Sequence, residues 1–340
     1  MKDGSRKAFL RRWPDHAQGI RHTFQAAFLL LNLWIGAQFY MWVRHYESGG
    51  ATVFVERPPG VEGWLPIAAL MNLKYWLLTG VVPEHHAAGM FLLIAFLAIS
   101  MLFRKGFCSW LCPIGTTSEW LWKGGRDIVG RTCTLPTWID IPLRSLKYIL
   151  FGLFAYVVIT MPPVEIRAFL DSPYGLVADV KMLDFFRKMG QATAVTVVVL
   201  VVASMFVKNA WCRYLCPYGA LLGLASLVSP TRIRRETEAC IDCDKCTKAC
   251  PSLLPVATLT SVRSPECTAC LECVTVCPSV GALRLGTRGR ALQPWMVATG
   301  MAATFLLIVG YAQLAGHWHS TVPEEMLFQL IPRAGQFGHP

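Results

Sequence analysis

The sequence predicts an α-helical integral membrane protein of about five transmembrane helices, built from two repeated hairpins, with a small α+β domain inserted before the last helix. Three observations predict it. The 340 residues are 54% hydrophobic and only 16% charged, with a mean hydropathy of +0.43, too apolar for an ordinary soluble chain. Five segments, 23–43, 86–103, 146–161, 190–207 and 294–315, approach the roughly 20 apolar residues that cross hydrocarbon. A motif also recurs at an offset of 104, and two dense cysteine runs lie between the fourth and fifth segments.

In chain order, residues 1–22 read as a basic tail on the inner side. This lead is too long, and the apolar run after it too extended, for a cleaved secretory signal, so 23–43 is expected to stay as an anchor. Segment 64–78 carries Pro66, Asn72 and Lys74 within it and is bounded by Gly63 and Gly80. It reads as an amphipathic or re-entrant piece at the outer surface. A true sixth span would invert everything downstream, and charge argues against that. With five spans and an inner N-terminus, the inner segments hold 24 of the 32 lysines and arginines, as cytoplasmic loops should. The net charge of +11 therefore reports orientation and anionic lipid and gives no case for nucleic acid. All thirteen cysteines fall on inner segments, a reducing side where thiols serve metals better than disulfides. Trp34, Trp42, Trp64, Trp76, Trp295 and Trp318 sit mostly near span ends and read as an interfacial belt.

Residues 101–116, MLFRKGFCSWLCPIGT, align with 205–220, MFVKNAWCRYLCPYGA. The match pairs Cys108 with Cys212, Cys112 with Cys216, Pro113 with Pro217, Gly115 with Gly219 and the basic Arg104 with Lys208. Each unit is a membrane hairpin, a short basic exit and C-x3-C-P, spanning 23–230 in all. Four-residue spacing puts both sulfurs on one face of a helical turn, and duplication implies a pseudo-two-fold axis along the membrane normal. Converging faces would offer four thiolates, from Cys108, Cys112, Cys212 and Cys216, to an iron–sulfur cluster or another soft metal. Such a structure should show these sulfurs facing one another and facing the inserted domain. The alternative is that they pack a helix end as buried hydrophobes. Cys133 has no partner pattern and reads as structural.

Within the inserted domain, 231–290, the runs Cys240-Ile-Asp-Cys243-Asp-Lys-Cys246-Thr-Lys-Ala-Cys250-Pro251 and Cys267-Thr-Ala-Cys270-Leu-Glu-Cys273-Val-Thr-Val-Cys277-Pro278 follow each other. Each is the C-x2-C-x2-C-x3-C-P run of a bacterial two-cluster ferredoxin, whose fourth cysteine reaches the other cluster. On that pattern Cys240, Cys243, Cys246 and Cys277 bind one 4Fe-4S cluster, and Cys267, Cys270, Cys273 and Cys250 the second. Zinc sites or disulfides are the alternative, and two complete tandem runs count against it. A fifth span, 291–316, and an outer tail, 317–340, follow.

Hairpins ending in paired CxxxCP motifs, followed by a tandem ferredoxin domain on the inner side, resemble the membrane polyferredoxin family. That family includes the quinol dehydrogenase component of periplasmic nitrate reductase (NapH), the membrane part of the nitrous oxide reductase regulator (NosR) and the oxidase accessory protein CcoG. The resemblance implies a multi-pass protein of the bacterial inner membrane, with quinol as donor and a respiratory redox subunit as acceptor. Unlike the nitrous oxide regulator, the chain shows no large extracytoplasmic flavin-binding domain, and its fifth span and tail depart from the simplest four-span arrangement.

Six of the eight histidines, His45, His85, His86, His317, His319 and His339, fall on the outer side. Haem or copper ligation, proton acceptance from a quinol, and plain interfacial capping all remain open for them. A quinol site needs an apolar slot and a base, for which Glu165 and the pair His85 and His86 are the candidates. No dinucleotide fingerprint, phosphate loop or C-x-x-C-H haem signature appears. The leading expectation is thus an electron-transfer subunit working between the quinone pool and other subunits. An accessory reductase for metal or cofactor assembly, or a redox-sensing regulator, are the alternatives.

Overall fold

The computed structural model describes residues 17–287 and 290–339, so most of the basic lead lies outside the described residues. The chain runs through helices α1 (Ala17–Glu47), α2 (Pro66–Thr79), α3 (Ala87–Phe103), α4 (Pro113–Val129), α5 (Thr137–Thr160), α6 (Pro163–Leu170), α7 (Ala178–Arg187), α8 (Gln191–Phe206) and α9 (Pro217–Ala225). Strands β1 (Thr231–Arg235), β2 (Leu283–Thr287) and β3 (Arg290–Ala291) follow, then α10 (Pro294–Leu314) and α11 (Glu324–Leu330). Proline opens α2, α4, α6 and α9, where a missing N–H costs nothing, and left-handed Gly80 and Gly130 close α2 and α4.

Helices α1, α5 and α10 are long and apolar enough to cross a membrane, and α7 with α8, bent by 80° at their break, make a fourth candidate. The expected span at 86–103 falls on α3, whose 17 residues reach only about 26 Å against about 30 Å of hydrocarbon. Helix α5 starts nine residues before the expected 146 and runs through Pro142, which lies inside it. Segment 64–78 forms α2.

Two compact units divide the chain. One comprises the chain up to Leu29, Leu97–Leu150 and Leu200–Thr304. It contains the antiparallel sheet β1-β2-β3, with buried Ile233 opposite buried Leu285. Helix α4 crosses against α8 so closely that a Cβ on Gly125 would lie 2.1 Å from the Met205 carbonyl oxygen. Its polar core is dense. Fully buried Arg21 meets both oxygens of Glu119 at 2.6 Å, and Lys147 meets Glu266 at 2.5 Å.

The other unit comprises Leu30–Phe96, Phe151–Val199 and the chain from Phe305 on. Phe39, Trp42, Val43 and Tyr46 of α1 pack there with Val61, Val177, Val180 and Ile331. Lys74 of α2 donates to the carbonyls of Val158, Ile159 and Met161, capping the otherwise orphaned C-terminus of α5.

Candidate functional site

The inserted domain builds two pockets from its two runs. In each, the residues flanking the second cysteine are left-handed: Asp242 and Asp244 at φ 54° and 56°, Ala269 and Leu271 at φ 50° and 61°. Such torsions cost a residue with a side chain on the order of 1–3 kcal/mol each. They curl the loop so that successive amides can face one concavity, a backbone nest suited to anions and iron–sulfur groups. One pocket is lined by Cys240, Cys243, Cys246 and Cys277, the second by Cys250, Cys267, Cys270 and Cys273. This is the partition that the spacing gives. The two differ in exposure: Cys243 is exposed and Cys240 half-buried, whereas Cys250, Cys267 and Cys273 are buried.

The repeat cysteines also come together. Cys212 interacts electrostatically with Cys108, Cys112 and Cys216, and Cys108 with Cys112 and Cys216. The expected shared helical face is replaced by a wider turn. The Cys112 N–H reaches back five residues to the Phe107 oxygen at 2.9 Å, and the Cys216 N–H to the Trp211 oxygen at 3.0 Å. Pro113 and Pro217 cause this, because the residue before a proline is barred from helical backbone; Cys112 and Cys216 take ψ 120° and 104° and become the N-caps of α4 and α9. The Gly219 N–H then donates to the Cys216 sulfur at 3.3 Å. Gly115 is required for packing, since a Cβ there would stand 2.1 Å from the Cys108 oxygen. Burial pushes the Cys108 thiol up to about 12 and the Cys112 thiol up to about 11, against the pull of buried Lys105. A metal taken up here must therefore displace protons.

The first repeat turn is tied directly to the second pocket. Ser109 Oγ donates to the Thr268 oxygen at 2.6 Å, and the indole of fully buried Trp110 donates to the Ala269 oxygen at 3.1 Å. Gln18 donates to the Cys270 oxygen at 2.9 Å. The counterpart of Trp110 in the second repeat, Tyr214, instead donates to Asp140 at 2.7 Å. Cys133 is exposed and is held by its backbone, its N–H on the Phe206 oxygen at 2.8 Å.

The other unit sorts the remaining candidates. His86, buried and left-handed at φ 57°, bonds the Gly175 oxygen through Nε2 at 2.9 Å and stands 3.6 Å from Glu62. Glu62 and Asp179 both hold Arg57, at 2.8 and 2.7 Å, and Asn72 Nδ2 donates to the carbonyls of His85 and His86. Burial disfavours the Glu62 carboxylate, yet Arg57 and His86 hold it at about 2. Asn72 Oδ1, His85 Nδ1 and His86 Nδ1 are buried without hydrogen-bond partners. Glu165 is not drawn in; it lies exposed on α6. Sequence reading missed Arg57, Glu62 and Asp179, which no local pattern marks. His317 stacks on Phe91, His45 bonds the Thr52 oxygen at 2.6 Å, His339 packs on Tyr174, and His319 faces Glu56. Among the described residues no group of three or more His, Cys, Asp or Glu side chains is placed to hold a single metal ion.

Comparison with known proteins decides the family. A 4Fe-4S binding domain model matches twice, at 86–132 and 189–236, once over each copy of the repeat, and a 4Fe-4S dicluster domain model matches 232–278. YccM of Escherichia coli K12, named as a candidate electron transport protein, is 50% identical over 96% of this chain and 94% of its own length. The chain belongs to the YccM family of 4Fe-4S membrane proteins. More distant members of this ferredoxin-type group are NapH of Escherichia coli K12, 23% identical over 81% of this chain and 92% of its own, and the regulatory protein NosR of Pseudomonas aeruginosa, 29% identical over 47% and 22%. No solved structure matches.

The residues fit the iron–sulfur group the family implies. Eight thiols line two pockets, strained loops form nests for an anion, and the buried cations nearby call for negative charge.

Proposed function

We propose that this protein is a membrane-bound iron–sulfur electron-transfer subunit that exchanges electrons between the quinone pool and a respiratory redox partner. The observation that carries this reading is the convergence, within one unit, of two ferredoxin quartets and the four repeat cysteines, joined by the bonds of Ser109 and Trp110 to the second loop. Cys240, Cys243, Cys246 and Cys277 would hold one cluster, Cys250, Cys267, Cys270 and Cys273 the second, and Cys108, Cys112, Cys212 and Cys216 a third. Bound clusters supply one-electron uptake and release at potentials set by their surroundings.

On this reading α3 completes five crossings, with the ferredoxin domain cytoplasmic and the C-terminus outside. Quinol oxidation releases two protons with its two electrons. His85 is the proposed proton acceptor, next to His86, which Glu62 and the Gly175 oxygen hold. The unpartnered Nδ1 of His85 and the unpartnered oxygen of Asn72 are the buried acceptors a hydroquinone hydroxyl needs.

Iron and acid-labile sulfide quantitation with EPR, on anaerobically purified protein oxidised and reduced by a quinol analogue, tests the proposal. The wild type should be iron-loaded and quinol-reducible, and Cys108→Ala or Cys212→Ala should lose one cluster's iron while keeping the ferredoxin signals. Unchanged iron in those variants would retire the third cluster, and iron-loaded protein inert to quinol would favour the accessory-reductase alternative.

A further inference from the structure

Arg104 and Lys208 occupy the same position in the two copies of the repeat, four residues before Cys108 and Cys212. Both are buried, at 0% and 8% exposure. Among the described residues neither has a carboxylate within ion-pair distance; their bonds go to main-chain oxygens. Arg104 donates to the carbonyls of Ser226, at 3.1 Å, and Ser264, and its Nε has no partner. Lys208 Nζ donates to the Lys248 oxygen at 2.9 Å. The Ser264 and Lys248 carbonyls lie beside the cysteines of the two runs. The Ser264 oxygen also accepts the Cys267 N–H at 3.1 Å, and Lys248 stands two residues before Cys250. The Arg104 guanidinium acts electrostatically on the Cys267 thiol, and the Lys208 ammonium on that of Cys250.

Cys267 and Cys250 line the same pocket. The two repeats thus place equivalent cations against two different ligands of one quartet. At the other pocket Arg235 is 3.5 Å from Asp242, so its charge has a local partner. Arg21, near Cys270, is likewise neutralised by Glu119 and Glu272.

A buried cation without a counter-ion costs several kcal/mol. Twice placing one beside the same four thiolates makes physical sense if the occupant is an anion. A cluster held by four thiolates is a net anion that gains one more negative charge on reduction. Burial alone disfavours the reduced form, and a fixed cation stabilises it more than the oxidised form.

We propose that Arg104 and Lys208 are a duplicated pair of counter-charges, one from each repeat, that raise the reduction potential of the cluster held by Cys250, Cys267, Cys270 and Cys273 and leave that of the other cluster untouched. The proposal rests on the reading that both quartets hold clusters. It gives the duplication a use beyond its cysteines: the repeat marks one of two otherwise similar sites as the acceptor that remains reducible despite burial.

The test is an EPR-monitored redox titration of the full-length protein, purified without oxygen, for wild type, Arg104→Gln, Lys208→Gln and the charge-keeping Arg104→Lys and Lys208→Arg. Cys273→Ala and Cys243→Ala assign the two signals. Each glutamine variant should keep its iron and sulfide and should lower the midpoint of the signal that Cys273→Ala alters, by a tenfold or greater change in the one-electron equilibrium, about 59 mV. The other signal should stay, and the charge-keeping variants should titrate like wild type. An unmoved midpoint, or an equal shift in both signals, would overturn the proposal. If one glutamine variant fails to accumulate, the other site decides independently, with Lys208→Met as a further charge-free form. An iron-free wild type is a distinct result, which removes the underlying reading and this proposal with it.

Discussion

At the scale of single residues, the protein depends on carboxylates kept ionised in buried places. Burial raises Glu62 and Glu119, but Arg57 with His86, and Arg21 with Lys123, outweigh it and hold both at about 2, against an ordinary 4.5. A group whose folded value is depressed stabilises the fold above its unfolded value, and that contribution is lost as pH falls through the window between the two. These two carboxylates should therefore make the unfolding midpoint in detergent fall as pH drops from about 4.5 towards 2. Glu119→Gln should flatten part of that slope and cost on the order of 3 kcal/mol at pH 7, because Arg21 keeps only Glu272. A midpoint indifferent to acid across the window would contradict this account. None of these pairs was legible in the sequence. Arg57 and Asp179 are 122 positions apart, and no local pattern marks Glu62.

At the scale of elements, α4 offers adjacent glycines with opposite requirements. A Cβ on Gly124 meets nothing within 4 Å, while one on Gly125 would strike the Met205 oxygen at 2.1 Å. Gly124→Ala should stabilise by about 1 kcal/mol through helix propensity, and Gly125→Ala should destabilise by prying α4 from α8. Thermal unfolding of the two variants side by side checks this, and a like sign for both would refute the packing described. Elements written by local chemistry were readable beforehand: the cysteine loops and the duplicated C-x3-C-P turns. The wide turn before Pro113 and Pro217 was not, because four-residue spacing was read as a regular helix although the following proline forbids one. The basic match of Arg104 with Lys208 was visible, but its meaning lies in contacts with loops up to 160 positions away.

At the scale of the whole molecule, apolar patterning located the three helices long enough to cross a membrane yet could not fix the number of crossings. Two of the five runs, on α3 and α8, stop at 17 and 16 residues, short of a full hydrocarbon width. The proposed orientation rests on the lysine and arginine bias, since hydropathy carries no direction. Reporter fusions active only outside the cytoplasm should be silent when joined within 231–290 and active when joined beyond 316. The reverse pattern would turn the molecule over.

The mirror-image torsions at Asp242, Asp244, Ala269 and Leu271 carry one more implication. Those loops are bent against their own preference and have reason to hold that shape only while something inorganic fills them. Oxidative stripping would thus be a mechanical event as well as a chemical one: the emptied loops spring open, and the domain becomes vulnerable to proteases in step with its loss of colour.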